Sequence, residues 1–355
     1  MNPHEKPKVE NESENKEKFT SIERVSGKDI GDEEARELID GFKGMFKNQE
    51  ELKKALLNTF GKRENISSEY LKLIFYERPK TLEESEIVTI ANKDTNELRR
   101  KDQLPILNIP TENIYIVEED APWPKNFEKS SFYYPYAQFI VIREQKGNKL
   151  KYPKVIFASD VYHEMVHFKF YNALKRSERY DALGVYREGL KTLKKTDNQE
   201  PYFGNINEAI VEELTIRFVK ELRENPLFKD EFDQTEKYKN EFADKKTESG
   251  EPLLNGEEYY INYSEEDSTL WTVCFTKIQE RRILSKLVDK IYQKNTNDFN
   301  RKDEVFDVFV KAALTGKTIR LWRLIDGTFG KGTFRKIAET DSDINDLDKY
   351  VDSLK

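Results

Sequence analysis

Residues 163–167 read His163-Glu164-Met165-Val166-His167, and they hold two of the three histidines in the 355-residue chain. On a helix, positions four apart lie one above the other on the same face. Two imidazoles placed in this way can close on one metal ion, while the glutamate one position along reaches a water on that ion. The segment is therefore expected to be helical and to face a further ligand supplied from elsewhere in the fold. His4, the remaining histidine, lies in a polar N-terminal tail and is not expected to join the pair. The pattern reads as a zinc site.

Two histidines leave a tetrahedral zinc short of protein ligands, and with no usable histidine left the third is expected to be a carboxylate. The stretch Ile206-Asn207-Glu208-Ala209-Ile210-Val211-Glu212-Glu213 stands out among the acidic residues. Glu208 and Glu212 share one helix face, and the apolar residues around them imply that this face is partly buried. Two carboxylates on a buried face need a cation. Glu208 as the third ligand, with Glu212 orienting a ligand imidazole, meets that need. Glu213 is turned off the shared face.

At this point the chain resembles a known group. H-E-x-x-H followed downstream by N-E-x-x-x-[DE] is similar to the gluzincin class of zinc metallopeptidases, and the likeness covers about residues 160–222. The resemblance implies a zincin-like catalytic domain, a mixed sheet plus an active-site helix, within an α+β fold. It implies that His163, His167 and Glu208 bind Zn2+, that Glu164 is the general base, and that Glu212 supports a ligand. It also implies a peptide or protein substrate. The 163–208 separation is longer than in the best-known members, and no G-A-M-E-N-like segment is present to bind a substrate amino terminus. No histidine follows His167, so a tyrosine or arginine would have to stabilise the oxyanion. Tyr260 and Tyr263, with Tyr259, Arg281 and Arg282, are the candidates in the later half.

The rest of the chain frames this region. Residues 1–18 are rich in Glu, Lys and Asn and are expected to be a disordered tail. A catalytic region is expected over 19–225, a charged surface excursion over 226–258, and a mainly helical C-terminal part over 259–355. Helical spacing places helices at 32–42, 50–60 and 67–77. Short apolar runs predict strands at Glu86–Ala91, Asn113–Glu118 and Ala137–Arg143. The last of these resembles the edge strand that such peptidases offer to an extended substrate. The motif helix is expected to start at Ser159 or Asp160, either of which can cap it, and to run toward Leu174. A loop with Gly184, Gly189 and Gly204 then leads to a second helix, Asn207–Leu222.

Composition narrows the partners. With 36% charged residues of mixed sign and a net charge of −7, neither nucleic acid nor an anionic membrane surface is expected. The single cysteine, Cys274, rules out an intrachain disulfide and reads as a packing residue. No apolar run is long enough to span a bilayer, and no h-region follows the N-terminus, so the cytoplasm is the default expectation. Thr315-Gly316-Lys317-Thr318 lacks the earlier glycine of a phosphate-binding loop.

A zinc endopeptidase is thus the leading expectation. Its alternatives are a non-catalytic zinc protein using the same residues for structure, and a zinc hydrolase of a non-peptide amide. Deformylases, which use H-E-x-x-H with a cysteine ligand upstream, are disfavoured because Cys274 lies far downstream.

Overall fold

The computed structural model describes residues 20–21, 73–119, 121–122, 130–134, 139–144, 153–176, 183–193, 201–244, 259–264, 269–274 and 277–355. Only the backbone is described at 20–21, 74, 174–176, 183–184, 242, 259–264 and 269–274. The helices expected at 32–42 and 50–60 lie outside these residues. Of the one expected at 67–77, residues 73–77 are described, and Leu73–Tyr76 form a 3-10 turn.

Helix α1 (Leu82–Lys101) opens on a reciprocal cap: Glu84 N donates to Thr81 Oγ1 at 3.1 Å, and Thr81 N donates to Glu84 Oε2 at 2.7 Å. The strand expected at Glu86–Ala91 falls inside this helix. Its Ile-Val-Thr-Ile run favours a strand by local preference, but Ile87, Val88, Ala91 and Thr95 sit at helical spacing on one buried face. Tertiary packing and the cap decide the outcome.

Strands β2 (Ile114–Val117), β3 (Ser131–Tyr134) and β4 (Phe139–Arg143) form a mixed three-stranded sheet in the order β2-β4-β3, with β2 parallel and β3 antiparallel to β4. The strand expected at Ala137–Arg143 is therefore present, but as the central strand and not the edge. Burial on both faces explains its unbroken apolar run: Ile140 and Ile142 join the main core, while Phe139 and Val141 pack with Leu73, Tyr115 and Val117 on the other side.

Helix α2 (Lys154–Lys169) carries the motif and packs against β3 and β4, and against α1. It begins ahead of Ser159, directly after Pro153. Its first amides, Lys154 N and Val155 N, donate to the Glu231 carboxylate at 2.8 and 2.9 Å. A carboxylate at a helix N-terminus satisfies orphan amides and complements the helix dipole.

The segment expected as a glycine loop is a sheet. Strands β5 (Asn172–Arg176), β6 (Leu183–Glu188) and β7 (Lys191–Thr192) pair antiparallel, with β1 (Thr20–Ser21) on β5. Helix α3 (Gly204–Leu222) follows and packs against α2. Within the charged stretch, α4 (Lys229–Phe242) buries Phe232, Thr235 and Tyr238. A hairpin of β8 (Tyr259–Ser264) and β9 (Thr269–Cys274) comes next, with β8 against α4.

Five helices complete the chain: α5 (Ile278–Lys294), α6 (Lys302–Thr315), α7 (Ile319–Phe329), α8 (Thr333–Thr340) and α9 (Ile344–Ser353). The fold is thus α+β with a small mixed sheet and a helical C-terminal part. One apolar core runs from Ile87 on α1 through α2 and α3 to Val351 on α9. Among the described residues, no helix is long and apolar enough to cross a membrane.

Candidate metal centre

The i, i+4 spacing on α2 brings the imidazoles of His163 and His167 to a centroid separation of 5.0 Å. Glu208, from the first turns of α3, faces both. Its Oε2 lies 3.7 Å from His163 Nε2, and its Oε1 lies 3.6 Å from His167 Nε2. These separations are too long for good hydrogen bonds. They are close to the ~3.4 Å expected between donor atoms that share a tetrahedral zinc at about 2.05 Å. The three donor atoms lie within 4.8 Å of one another, and the group can hold a metal ion.

The other nitrogen of each ring is already engaged. His163 Nδ1 meets Glu212 Oε2 at 3.0 Å, and His167 Nδ1 meets Glu188 Oε1 at 2.8 Å. In the neutral ring that binds a metal, a carboxylate on Nδ1 fixes the remaining proton there, leaves the lone pair on Nε2 and makes it a better donor. Glu212 lies one turn beyond Glu208 on α3, and Glu188 ends β6. Two different elements therefore aim the two imidazoles at one point.

Electrostatics agree with that geometry. Burial opposes a charged imidazole, yet Glu208 and Glu212 outweigh it and push His163 up to about 10. Burial likewise opposes charge on His167, and the charge of Glu208 with the hydrogen bond to Glu188 pushes it up to about 9. For Glu188, burial raises the carboxyl, but the His167 hydrogen bond overcomes this and leaves it below the usual carboxylate range. Two imidazoles that attract protons so strongly offer the same attraction to one divalent cation, which carries the charge of two protons. The residues present therefore fit a metal ion.

Glu164 is 4% exposed and points to the sheet side of α2. Its Oε1 accepts from Ser131 Oγ at 2.8 Å, and its Oε2 accepts from Tyr133 N at 2.7 Å. Both donors belong to β3, at the edge of the three-stranded sheet. The negative charge of Glu164 is felt at His163.

The fold thus brings together His163, His167 and Glu208, with Glu212 behind one imidazole and Glu164 beside the pair. Glu213 points away and pairs with Arg217 at 3.0 Å and with Arg281 at 3.3 Å. Tyr260 and Tyr263 lie on β8, of which the backbone alone is described. Sequence reasoning missed Glu188, Ser131 and Tyr133. None of them sits in a periodic pattern with the motif. The turn glycine after Glu188 was the one local hint. Gly189 has φ of +58°, and a Cβ there would lie 2.4 Å from Asn207 Oδ1 and 2.6 Å from the Phe170 ring. That oxygen accepts from Leu190 N at 2.9 Å, which ties the turn after Glu188 to the residue before Glu208.

Comparison of the chain with known protein families, with characterised proteins and with solved structures found no match.

Proposed function

We propose that this protein is a zinc-dependent metallopeptidase of gluzincin type, an endopeptidase acting on peptide or protein substrates. The observation that carries this reading is the use of the imidazole nitrogens. Each Nδ1 is held by a carboxylate from another element, and each Nε2 faces Glu208.

His163, His167 and Glu208 would hold the ion, and a nitrogen, nitrogen, oxygen set suits zinc. Zinc bound there supplies Lewis-acid polarisation of a carbonyl and acidifies a water. Glu164 takes a proton from the attacking water and passes it to the leaving amine nitrogen as the C–N bond breaks. Ser131 and Tyr133 N–H hold that carboxylate in one orientation on α2. Glu188 and Glu212 keep the imidazoles in the tautomer that ligation needs. A mixed sheet laid against the motif helix supports a zincin-like arrangement. In it β3 takes the place first expected of 137–143, since the main-chain groups of its edge other than the Tyr133 N–H, which Glu164 holds, can pair with an extended substrate.

One observation favours a second reading, a zinc centre without catalysis. Both oxygens of Glu164 accept hydrogen bonds from β3, so Glu164 also serves as a strap between helix and sheet. Zinc content and hydrolysis of an unfolded casein substrate, measured on wild type, Glu208→Ala and Glu164→Ala, separate the two. The peptidase reading expects Glu208→Ala to lose metal, and Glu164→Ala to keep metal but lose activity. Full zinc in all three with no cleavage by any would overturn it in favour of the non-catalytic centre.

A further inference from the structure

Charge is spread unevenly along this chain. Residues 317–336 carry six lysines and arginines and a single carboxylate, Asp326, although the whole chain has a net charge of −7. Helix α7 lies within this stretch and turns Leu321 and Ile325 into the core. At about 100° per residue, the side away from the core presents Trp322, Ile319, Arg323 and Arg320 as one continuous arc. All four are exposed. Ile319 is 60% exposed and Trp322 45%, and the two are neighbours one turn apart.

The cations that frame this apolar pair are not neutralised. Arg335 pairs with Glu339 at 2.7 Å. Among the described residues, the side chains of Lys317, Arg320, Arg323 and Lys331 have no hydrogen-bond or ion-pair partner. Asp326 is occupied within the helix pair. It accepts from Trp322 Nε1 at 2.8 Å, from Gly332 N at 2.9 Å and from Phe334 N at 2.8 Å. These bonds hold the α7–α8 turn, with Lys331, beside Trp322. They also satisfy the one polar atom of the indole, so the rest of that ring offers only apolar surface.

The matching partner has an anionic surface over an apolar interior. A bilayer with acidic lipids is layered in this way: its headgroups meet lysine and arginine, while tryptophan and isoleucine reach the acyl boundary. A nucleic acid would match the cations and could stack on Trp322, but it offers Ile319 nothing. An acidic protein would need about 800 Å² of interface. The eleven residues of α7 span only about 16 Å.

We propose that the outer face of α7, with the α7–α8 turn, is a peripheral docking surface for anionic lipid bilayers. The net charge argues against such a partner only on average, because the positive charge is gathered on this face. No residue of the metal centre takes part, so the surface does not depend on the peptidase reading.

The test is flotation of the full-length protein with vesicles of phosphatidylcholine alone and of phosphatidylcholine with about one third phosphatidylserine. Binding to the anionic vesicles alone is expected, and added salt should weaken it. Arg320→Glu with Arg323→Glu should reduce binding by at least about tenfold, as loss of two cations at an anionic surface requires, with Tm unchanged. Lys317→Glu with Lys331→Glu, which leaves α7 itself untouched, should do the same. Brominated acyl chains should quench tryptophan emission of the wild type, and this quenching should disappear in Trp322→Phe. Equal binding to neutral and anionic vesicles, no binding at low salt, or undiminished binding by both charge variants overturns the proposal. So does quenching that survives Trp322→Phe, which would put another part of the chain at the bilayer. Tighter binding to a DNA duplex than to anionic vesicles at the same salt also overturns it, and assigns the face to nucleic acid.

Discussion

Glu188 Oε1 and His167 Nδ1 meet at 2.8 Å, although 21 positions of chain and a change from helix to strand separate them. The contact sets which nitrogen of His167 is free, and it places an anion behind a ligand that would lose negative charge to a cation. Removal of such a partner typically weakens metal binding by about 10- to 100-fold. Glu188→Ala is expected to fall in that range in competition with a chromophoric chelator, and Glu188→Gln to fall less because an amide oxygen still accepts from Nδ1. Unchanged affinity in Glu188→Ala would mean that the contact does not support the metal.

The proton balance of the metal-free site gives a pH prediction. His163 and His167 sit at about 10 and about 9 in the folded chain, against 6.5 for an ordinary imidazole. Raised values mean that the folded state holds protons that the unfolded state releases. The stabilisation is therefore fully present below about pH 6.5 and is lost as pH rises through 9 to 10. Calorimetric melting of chelator-treated protein should show a Tm that declines over this window. With metal the trend changes sign, because the cation displaces those protons: affinity rises with pH, and about two protons leave per ion bound at pH 7. Titration in buffers of different ionisation enthalpy counts them.

Both helices that carry the candidate ligands are started by carboxylates from distant parts of the chain. Glu231 holds the first amides of α2 from 77 positions away. Asp341 accepts from Asn205 N at 2.8 Å and from Ile206 N at 3.0 Å at the start of α3, the latter across 135 positions. This is why the sequence misplaces the starts. A search for local caps stops at Ser159 or Asp160 for α2, and the helical pattern places the start of α3 at Asn207, three residues late, where the side chain accepts from Leu190 N. His163, His167, Glu208 and Glu212 were legible because each pair repeats at i, i+4 within one helix. Glu188 was not, because a single acidic residue between Arg187 and Gly189 carries no periodicity. The glycine-rich hairpin that holds it has too few apolar positions to read as a sheet.

The remote cap of α2 can be tested on its own. Glu231→Ala leaves two amides of a partly buried helix end without acceptors, and loss of a cap costs about 0.5–2 kcal/mol. Denaturant unfolding is expected to show a loss in that range. Metal affinity should change little, since His163 lies more than two turns along. A loss of metal equal to that of Glu188→Ala would show that the start of α2 positions the ligands directly.

Gly189→Ala is expected to be more damaging than its size suggests. The left-handed φ of +58° costs an L-residue about 1–2 kcal/mol, and the added Cβ would drive against Asn207 Oδ1 and the Phe170 ring. Asn207 is the neighbour of Glu208, so the shift reaches the third ligand. Both the unfolding free energy and the metal affinity should fall. A loss of stability alone, with metal affinity intact, would show that the turn is uncoupled from Glu208.

Glu164→Gln separates the two roles of Glu164 more cleanly than alanine does. The amide oxygen of glutamine still accepts from Tyr133 N, and the Ser131 hydroxyl can rotate to accept from the amide NH2. The strap between α2 and β3 therefore survives, and stability should stay within about 1 kcal/mol of wild type. The amide cannot take a proton. If Glu164 moves the proton of the attacking water, peptide hydrolysis should fall by about 10²–10⁴-fold, with zinc content unchanged. If hydrolysis survives in Glu164→Gln, the carboxylate is only a strap and another group serves as the base. If Glu164→Gln loses zinc or melts far below wild type, the charge of Glu164 holds the site together and the assignment as base loses its support.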